Sequence, residues 1–412
     1  MSAHDFDIAV VGGGMVGAAL ALGAAHAGFR VALLERAEPP LEWPPGSHDL
    51  RVSALTRASQ RILQNLGAWE AMAAAGVTPY ERMQVWEARG LGEIRFDAAD
   101  IGEPDLGHIV ENRVVVAALW QALRREDGVE ILLQREIEAI DREAEGAALQ
   151  LAGGETLRAA LLAGADGARS RLRELAGIGL TARDYDQHAL VATVRAERGN
   201  QATAWQRFMP EGPLALLPLG RDRFSIVWTS GPARAAELQA LPAEDFDCEL
   251  TLASERCCGR LALEGDRALF PLRLQHATAY VQPGLALLGD AAHVIHPLAG
   301  QGVNLGLLDA GVLIDTLAEA RRRGEPLGAL GVLRRYERAR KGHNLAVQMA
   351  MDAFKHLFCN RNPALHLLRN LGLGLADRVP PLRRGFERVA LGEGIELPRL
   401  ARMPSDCPEG AD

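Results

Sequence analysis

The stretch from Ile8 to Glu35 constrains the fold of this chain more than any other. An apolar run, Ile8 to Val11, meets Gly12-Gly13-Gly14-Met15-Val16-Gly17; a helical pattern extends from Met15 to Ala27, and a second apolar run from Val31 to Glu35. Strand, turn, helix and strand in that order predict a right-handed βαβ unit. Gly12, Gly14 and Gly17 occupy the three places of G-x-G-x-x-G. The first allows a tight turn, the second lets backbone approach a pyrophosphate, and the third lets helix pack closely on strand. Val16 stands in the first helical turn, where free N–H groups and the positive end of the helix dipole favour phosphate. Glu35 closes the second strand twenty-three residues after Gly12, with Arg36 behind it. A carboxylate there can accept hydrogen bonds from the ribose hydroxyls of an adenosine. The stretch predicts dinucleotide binding, and by itself it does not separate a flavin from a nicotinamide dinucleotide.

The rest of the chain narrows the class. Its 412 residues suffice for two domains or one large composite domain. A formal net charge of -8 argues against nucleic acid as a partner, since phosphate neutralisation needs a clustered positive surface. The five cysteines, Cys248, Cys257, Cys258, Cys359 and Cys407, have no C-x-x-C spacing, so neither a disulfide framework nor a metal site is expected. The first residues are acidic, unlike the opening of a signal peptide, and no apolar run approaches the roughly 20 residues that span a bilayer. These features predict a cytoplasmic protein.

Alternating and β-branched stretches from about Glu81 to Phe96 and from Ala189 to Thr229 predict strands of an antiparallel sheet. Beyond Asn304 a long helical periodicity runs to about Phe358. The predicted fold is α/β: a discontinuous Rossmann-like dinucleotide-binding domain at 1–80, 105–185 and 275–345, an inserted antiparallel-sheet substrate domain at 81–104 and 186–274, and a helical C-terminal region at 346–412.

Two further segments carry the argument from nucleotide to chemistry. In Leu162-Ala163-Gly164-Ala165-Asp166-Gly167-Ala168-Arg169 a strand ends in a turn with an aspartate and small residues, before a basic helix start. In Leu287-Leu288-Gly289-Asp290-Ala291-Ala292-His293 an apolar strand delivers Asp290, and Pro297-Leu298-Ala299-Gly300-Gln301-Gly302-Val303-Asn304 opens a helix. In this order and spacing, the three motifs resemble the flavoprotein aromatic hydroxylases, the class A monooxygenases related to para-hydroxybenzoate hydroxylase. The resemblance covers nearly the whole chain and is closest to the ubiquinone-biosynthesis FAD-dependent hydroxylases. Asp49-Leu50-Arg51-Val52-Ser53-Ala54-Leu55, Glu111-Asn112-Arg113 and Trp205-Gln206-Arg207-Phe208-Met209-Pro210 look like segments of that subfamily.

The resemblance implies FAD as cofactor. Gly12, Gly14, Gly17 and Glu35 would hold its ADP half, Asp166 would serve FAD and reductant binding, and Gly289 and Asp290 would hold the ribityl chain. Arg51 and Arg113 would lie near the cofactor. The loop Pro297, Gly300, Gln301 and Gly302 would approach the flavin ring, and the helix opening at Val303 and Asn304 would aim N–H groups at it. His293 and His296 are candidate bases toward a phenol. The implied reaction hydroxylates the ring of a hydrophobic prenylated phenol through a flavin C4a-hydroperoxide, with O2 and NAD(P)H or another reductant as partners. No second G-x-G-x-x-G follows a strand, which fits transient NAD(P)H binding. Halogenation, alkene reduction and a non-catalytic flavin-binding subunit of a biosynthetic complex stay open. Against the first, none of the six tryptophans sits in W-x-W-x-I-P. Between Ala353 and Ala390 seven Lys or Arg outnumber two acids, with apolar residues at helical spacing. The plainer reading is a helical cap; the alternative is peripheral contact with the inner face of the membrane or with a biosynthetic complex.

Overall fold

The computed structural model describes residues 4–88, 93–143, 146–294, 302–358 and 397–403. Strand β1 (Phe6–Val11), helix α1 (Met15–His26) and strand β2 (Val31–Glu35) form the expected βαβ unit, with β1 and β2 paired in parallel. On its other edge β1 pairs in parallel with Thr156–Gly164, which pairs in parallel with Leu285–Leu287. Ile8, Ala9 and Val10 are fully buried, as a central parallel strand covered on both faces requires. α1 is apolar on all sides, and it packs against helices Asn112–Leu123 and Gly302–Arg322.

A second sheet of eight strands runs in the order 293–294, 261–277, 180–196, 223–230, 212–219, 203–209, 82–87, 93–97. All its neighbours are antiparallel except Arg82–Glu87 and Thr203–Met209. Alternation along these strands assigns side chains to two faces. One face buries Leu190, Ala192, Val194, Phe224 and Ile226 beneath helices Pro232–Ala240 and Ala243–Ala253, with Phe246 and Leu250 completing that core. The other face presents Ala189, Val191, Val227, Phe270 and Leu272, with Tyr185 beside them.

A three-stranded sheet of Val52–Leu55, Gly107–Glu111 and Val77–Tyr80 sets Ala54 and Ile109 against Leu217 and Leu219 of the larger sheet. The helical periodicity beyond Asn304 resolves into two helices, Gly302–Arg322 and Leu330–Phe358. Gly324, with φ of +66°, ends the first, and Pro326 prevents its continuation. Among the described residues no helix is long and apolar enough to cross a membrane.

Candidate cofactor site

The three motifs meet around Gly12 and Val16. Gly12 has φ of +101°, and a Cβ there would lie 2.5 Å from the Ala165 carbonyl oxygen and 2.8 Å from the Asp166 Cα. A Cβ on Gly17 would fall 1.8 Å from the Gly12 oxygen and 3.1 Å from the Ala165 Cβ. The turn after β1 and the Asp166 turn are thus packed backbone to backbone, which only glycine permits. The third motif interlocks through Val16: a Cβ on Gly289 would meet both Val16 methyls at 3.3 Å, and one on Gly306 would meet Val16 Cγ2 at 2.5 Å. Gly289 itself has φ of +57°.

Where a ligand would lie, the packing opens. A Cβ on Gly14 or on Gly302 would meet nothing within 4 Å. α1 starts at Gly14 with no side-chain cap and no acidic residue in its first turn, so its free N–H groups suit a phosphate. The Gly13 N–H donates to Glu35 Oε2 at 2.5 Å, and Trp120 Nε1 donates to the Gly13 oxygen at 2.7 Å. Glu35 Oε1 accepts the Arg36 N–H at 2.7 Å. These bonds fix the carboxylate at the strand end.

Asp166 Oδ2 accepts the Leu172 N–H at 3.1 Å, while its Oδ1 is buried with no hydrogen-bond partner among the described residues. A buried carboxylate oxygen left unpaired is costly, so the turn is shaped to receive a donor. Asp290 is exposed to solvent, yet desolvation by the surrounding protein raises its pKa, against the opposing charges of His293 and Arg51. Its carboxylate is thus accessible yet surrounded by protein. An open glycine cradle, two acceptor carboxylates and a phosphate-ready helix end fit FAD.

Arg51 lies in the field of Asp290, and its guanidinium sits over the Phe270 ring with 6.0 Å to the centroid. Arg113 is held by protein partners. Its Nε donates to Glu111 Oε2 at 2.6 Å, Nη1 to Ser47 Oγ at 2.9 Å and Nη2 to the Ser47 carbonyl, and the group stacks over Trp43. Its backbone N–H donates to Asp49 Oδ2 at 3.0 Å. Arg113 therefore anchors the loop that carries Arg51. Val303 is buried, and the Asn304 side chain is taken up locally: Oδ1 accepts from Ser59 Oγ at 2.6 Å and the Thr56 N–H at 3.1 Å, and Nδ2 donates to the Ala54 oxygen at 2.7 Å. Only backbone at this helix start is left to face a ligand. His296, Pro297, Gly300 and Gln301 lie outside the described residues.

Two groups absent from the sequence reading hold the cradle together. Buried Arg173 donates from Nη1 to the Ala291 oxygen at 2.9 Å and from Nη2 to the Ala168 oxygen at 3.0 Å, tying the second motif to the third. Fully buried Asp309 accepts from His293 Nε2 at 2.6 Å and from Arg340 Nε at 2.7 Å. The Arg173 bond to Ala291 and both Asp309 pairings join residues 16 to 118 positions apart; the local signal was a lone acid in an apolar stretch for Asp309, and none for Arg173, which lies in a charged run.

The FAD binding domain family matches residues 5–356 of the chain. A 3-demethoxyubiquinol 3-hydroxylase of Escherichia coli is 43% identical over 392 residues, covering 95% of this chain and 100% of the relative. Ubiquinone hydroxylase UbiL of Rhodospirillum rubrum is 38% identical over 399 residues, covering 96% of this chain and 92% of its own. The crystal structure of p-nitrophenol 4-monooxygenase PnpA from Pseudomonas putida superposes with a TM-score of 0.73 at 18% identity, over 94% of this chain and 98% of that one, and shows the shared fold. Fold, cradle and relatives together define the class: an FAD-dependent monooxygenase. More narrowly, the chain belongs to the family of FAD-dependent hydroxylases of ubiquinone biosynthesis.

Proposed function

We propose that this enzyme hydroxylates the aromatic ring of a polyprenylated phenol on the route to ubiquinone, using O2 and electrons from NAD(P)H or another reductant. The observation that carries the substrate class is the wall facing Arg51. Val191 and Leu272 are buried there, with Tyr185, Val227 and Phe270 packed against them. Phe270 lies directly beneath the guanidinium that neighbours Asp290. An apolar surface next to the reacting ring keeps water out and accepts a hydrophobic phenol.

When bound, FAD supplies the two-electron chemistry that activates O2. The chain's residues do the rest. Gly12, Gly14, Gly17 and Glu35 would hold the ADP half, with Asp166 and Asp290 as further acceptors. The start of the 302–322 helix would offer N–H groups and a positive dipole end to developing negative charge. Arg51 would orient the ring from the substrate side and balance Asp290. The loop residues Pro297, Gly300, Gln301 and Gly302 are assigned to the ring face, and His296 to a proton-transfer role, on the family likeness.

Met349, an exposed apolar side chain on the 330–358 helix, supports a bilayer-facing role for the 346–412 region that collects the prenylated substrate. Flotation with anionic liposomes tests it: full-length protein rises with the vesicles, and equal flotation of a form lacking 346–412 removes the role. The reaction itself is tested in a deletion strain of the host. Mass spectrometry shows a prenylated phenol one oxygen short of its product accumulating, and the gene restores the product; an unchanged quinone profile refutes the assignment.

A further inference from the structure

Asp309 sits in the middle of the 302–322 helix with no solvent exposure, behind the turn that presents Asp290. It is far more connected than a packing residue needs to be. Oδ2 accepts the Gly289 N–H at 3.1 Å and the His293 Nε2–H at 2.6 Å, both from the cofactor turn. Oδ1 accepts Arg340 Nε at 2.7 Å and Asn344 Nδ2 at 3.1 Å, both from the 330–358 helix. Arg340 is itself buried and also donates to Asn344 Oδ1 at 2.9 Å and to the Leu305 oxygen at 3.3 Å.

We propose that Asp309 is a positioning residue for FAD: its carboxylate pins the Gly289–Asp290 turn and His293, so that Asp290 faces the cofactor in one orientation. The role rests on the reading of the chain as an FAD enzyme, and it concerns the grip rather than the chemistry. A carboxylate only accepts, so a proton of His293 stands on Nε2 and the ring is held in one plane. Gly289 stands in the left-handed region, where no regular ladder holds its N–H; Asp309 takes that N–H instead. Burial alone would raise the Asp309 pKa, but the charges of His293 and Arg340 and their hydrogen bonds hold it below the usual carboxylate range. These partners therefore favour the anion. The Arg340 side of the network neutralises that anion; the Gly289 side uses it.

Two variants separate positioning from mere packing. Asp309→Asn keeps the shape but gives one acceptor oxygen in place of two, so the turn or Arg340 loses its partner. Asp309→Asn with Arg340→Met removes both buried charges together, leaving no uncompensated ion, and is chosen to keep the fold. Apoprotein of each, shown folded by circular dichroism, is titrated with FAD by flavin fluorescence. Both are expected to bind FAD at least about tenfold more weakly than wild type, which corresponds to one 1.4 kcal/mol step. Arg340→Met alone, which leaves Gly289 and His293 their acceptor, is expected to lower the melting temperature while holding FAD within about twofold of wild type. Unchanged FAD affinity in the folded double variant, or equal loss in Arg340→Met alone, overturns the proposal. No substrate enters this measurement, so it stands or falls separately from the hydroxylase assignment.

Discussion

Gly12 illustrates how much one residue decides. Its φ of +101° strains any L side chain, and a Cβ would press on the Ala165 carbonyl at 2.5 Å. Gly12→Ala is expected to cost about 2 kcal/mol or more in stability and to abolish FAD retention, read by denaturant unfolding and by the flavin absorbance of purified protein. A second expectation concerns pH. Burial lowers the pKa of His276 to about 4, with His293 and Lys341 adding to the effect, and burial together with Arg340 lowers that of His343 to about 4. Both stay neutral in the folded chain at pH values where an unfolded histidine, with its ordinary value of 6.5, takes up a proton. The unfolded state then binds more protons between these values, so stability falls as pH drops from 6.5 to 4. Melting temperatures across that range should fall less steeply in His276→Phe; a parallel profile contradicts the assignment. At this scale the sequence disclosed the residues whose role is local. Gly12, Gly17 and Glu35 belong to one contiguous motif, whereas Asp309 and Arg173 draw their meaning from partners that only folding brings near.

Among the elements, the start of α1 and the 302–322 helix touch through Val16 and Gly306, where a Cβ would lie 2.5 Å from Val16 Cγ2. Gly306→Ala should therefore destabilise by about 1–3 kcal/mol, and adding Val16→Ala should return part of that loss. Additive effects of the two changes in urea unfolding would show that the helices do not meet there. The substrate-facing sheet carries its own expectation. Phe270→Asp places a charge in the apolar wall beneath Arg51 and admits water. Product formed per NAD(P)H oxidised should fall about tenfold, with hydrogen peroxide rising to match. Preserved coupling would remove the wall from the mechanism. The βαβ unit and the strands between Ala189 and Thr229 were legible from their apolar runs and alternation, whereas the strand Leu261–Ala277, with charged residues at Glu264, Asp266 and Arg267, was not read from the sequence. The three-stranded sheet was not: Val52–Leu55 and Val77–Tyr80 have four residues each, too few for a period, and both pair with the distant Gly107–Glu111. The break between the two long helices rests on Gly324 and Pro326, and the apolar spacing on either side masked it.

At the scale of the molecule, the segment 47–55 bridges the three-stranded sheet and the second eight-stranded sheet. His48 Nδ1 lies 3.3 Å from Glu111 Oε1, and its Nε2 lies 3.9 Å from Glu264 Oε2 on the far sheet. Arg51 reaches Phe270, and Ala54 packs with Leu217 and Leu219. One short segment thus lies beside the turn that presents Asp290 and against the sheet that carries Phe270. On the proposed function, the cradle without the wall would leak reducing power to peroxide, and the wall without the cradle would have no oxidant. The most direct test supplies isotopically labelled O2 and NAD(P)H to purified, FAD-loaded enzyme with a short-chain prenylated phenol, and weighs the product. One labelled oxygen atom on the aromatic ring is the predicted result. Unlabelled product, or reductant consumed with peroxide as the sole oxygen product, contradicts it.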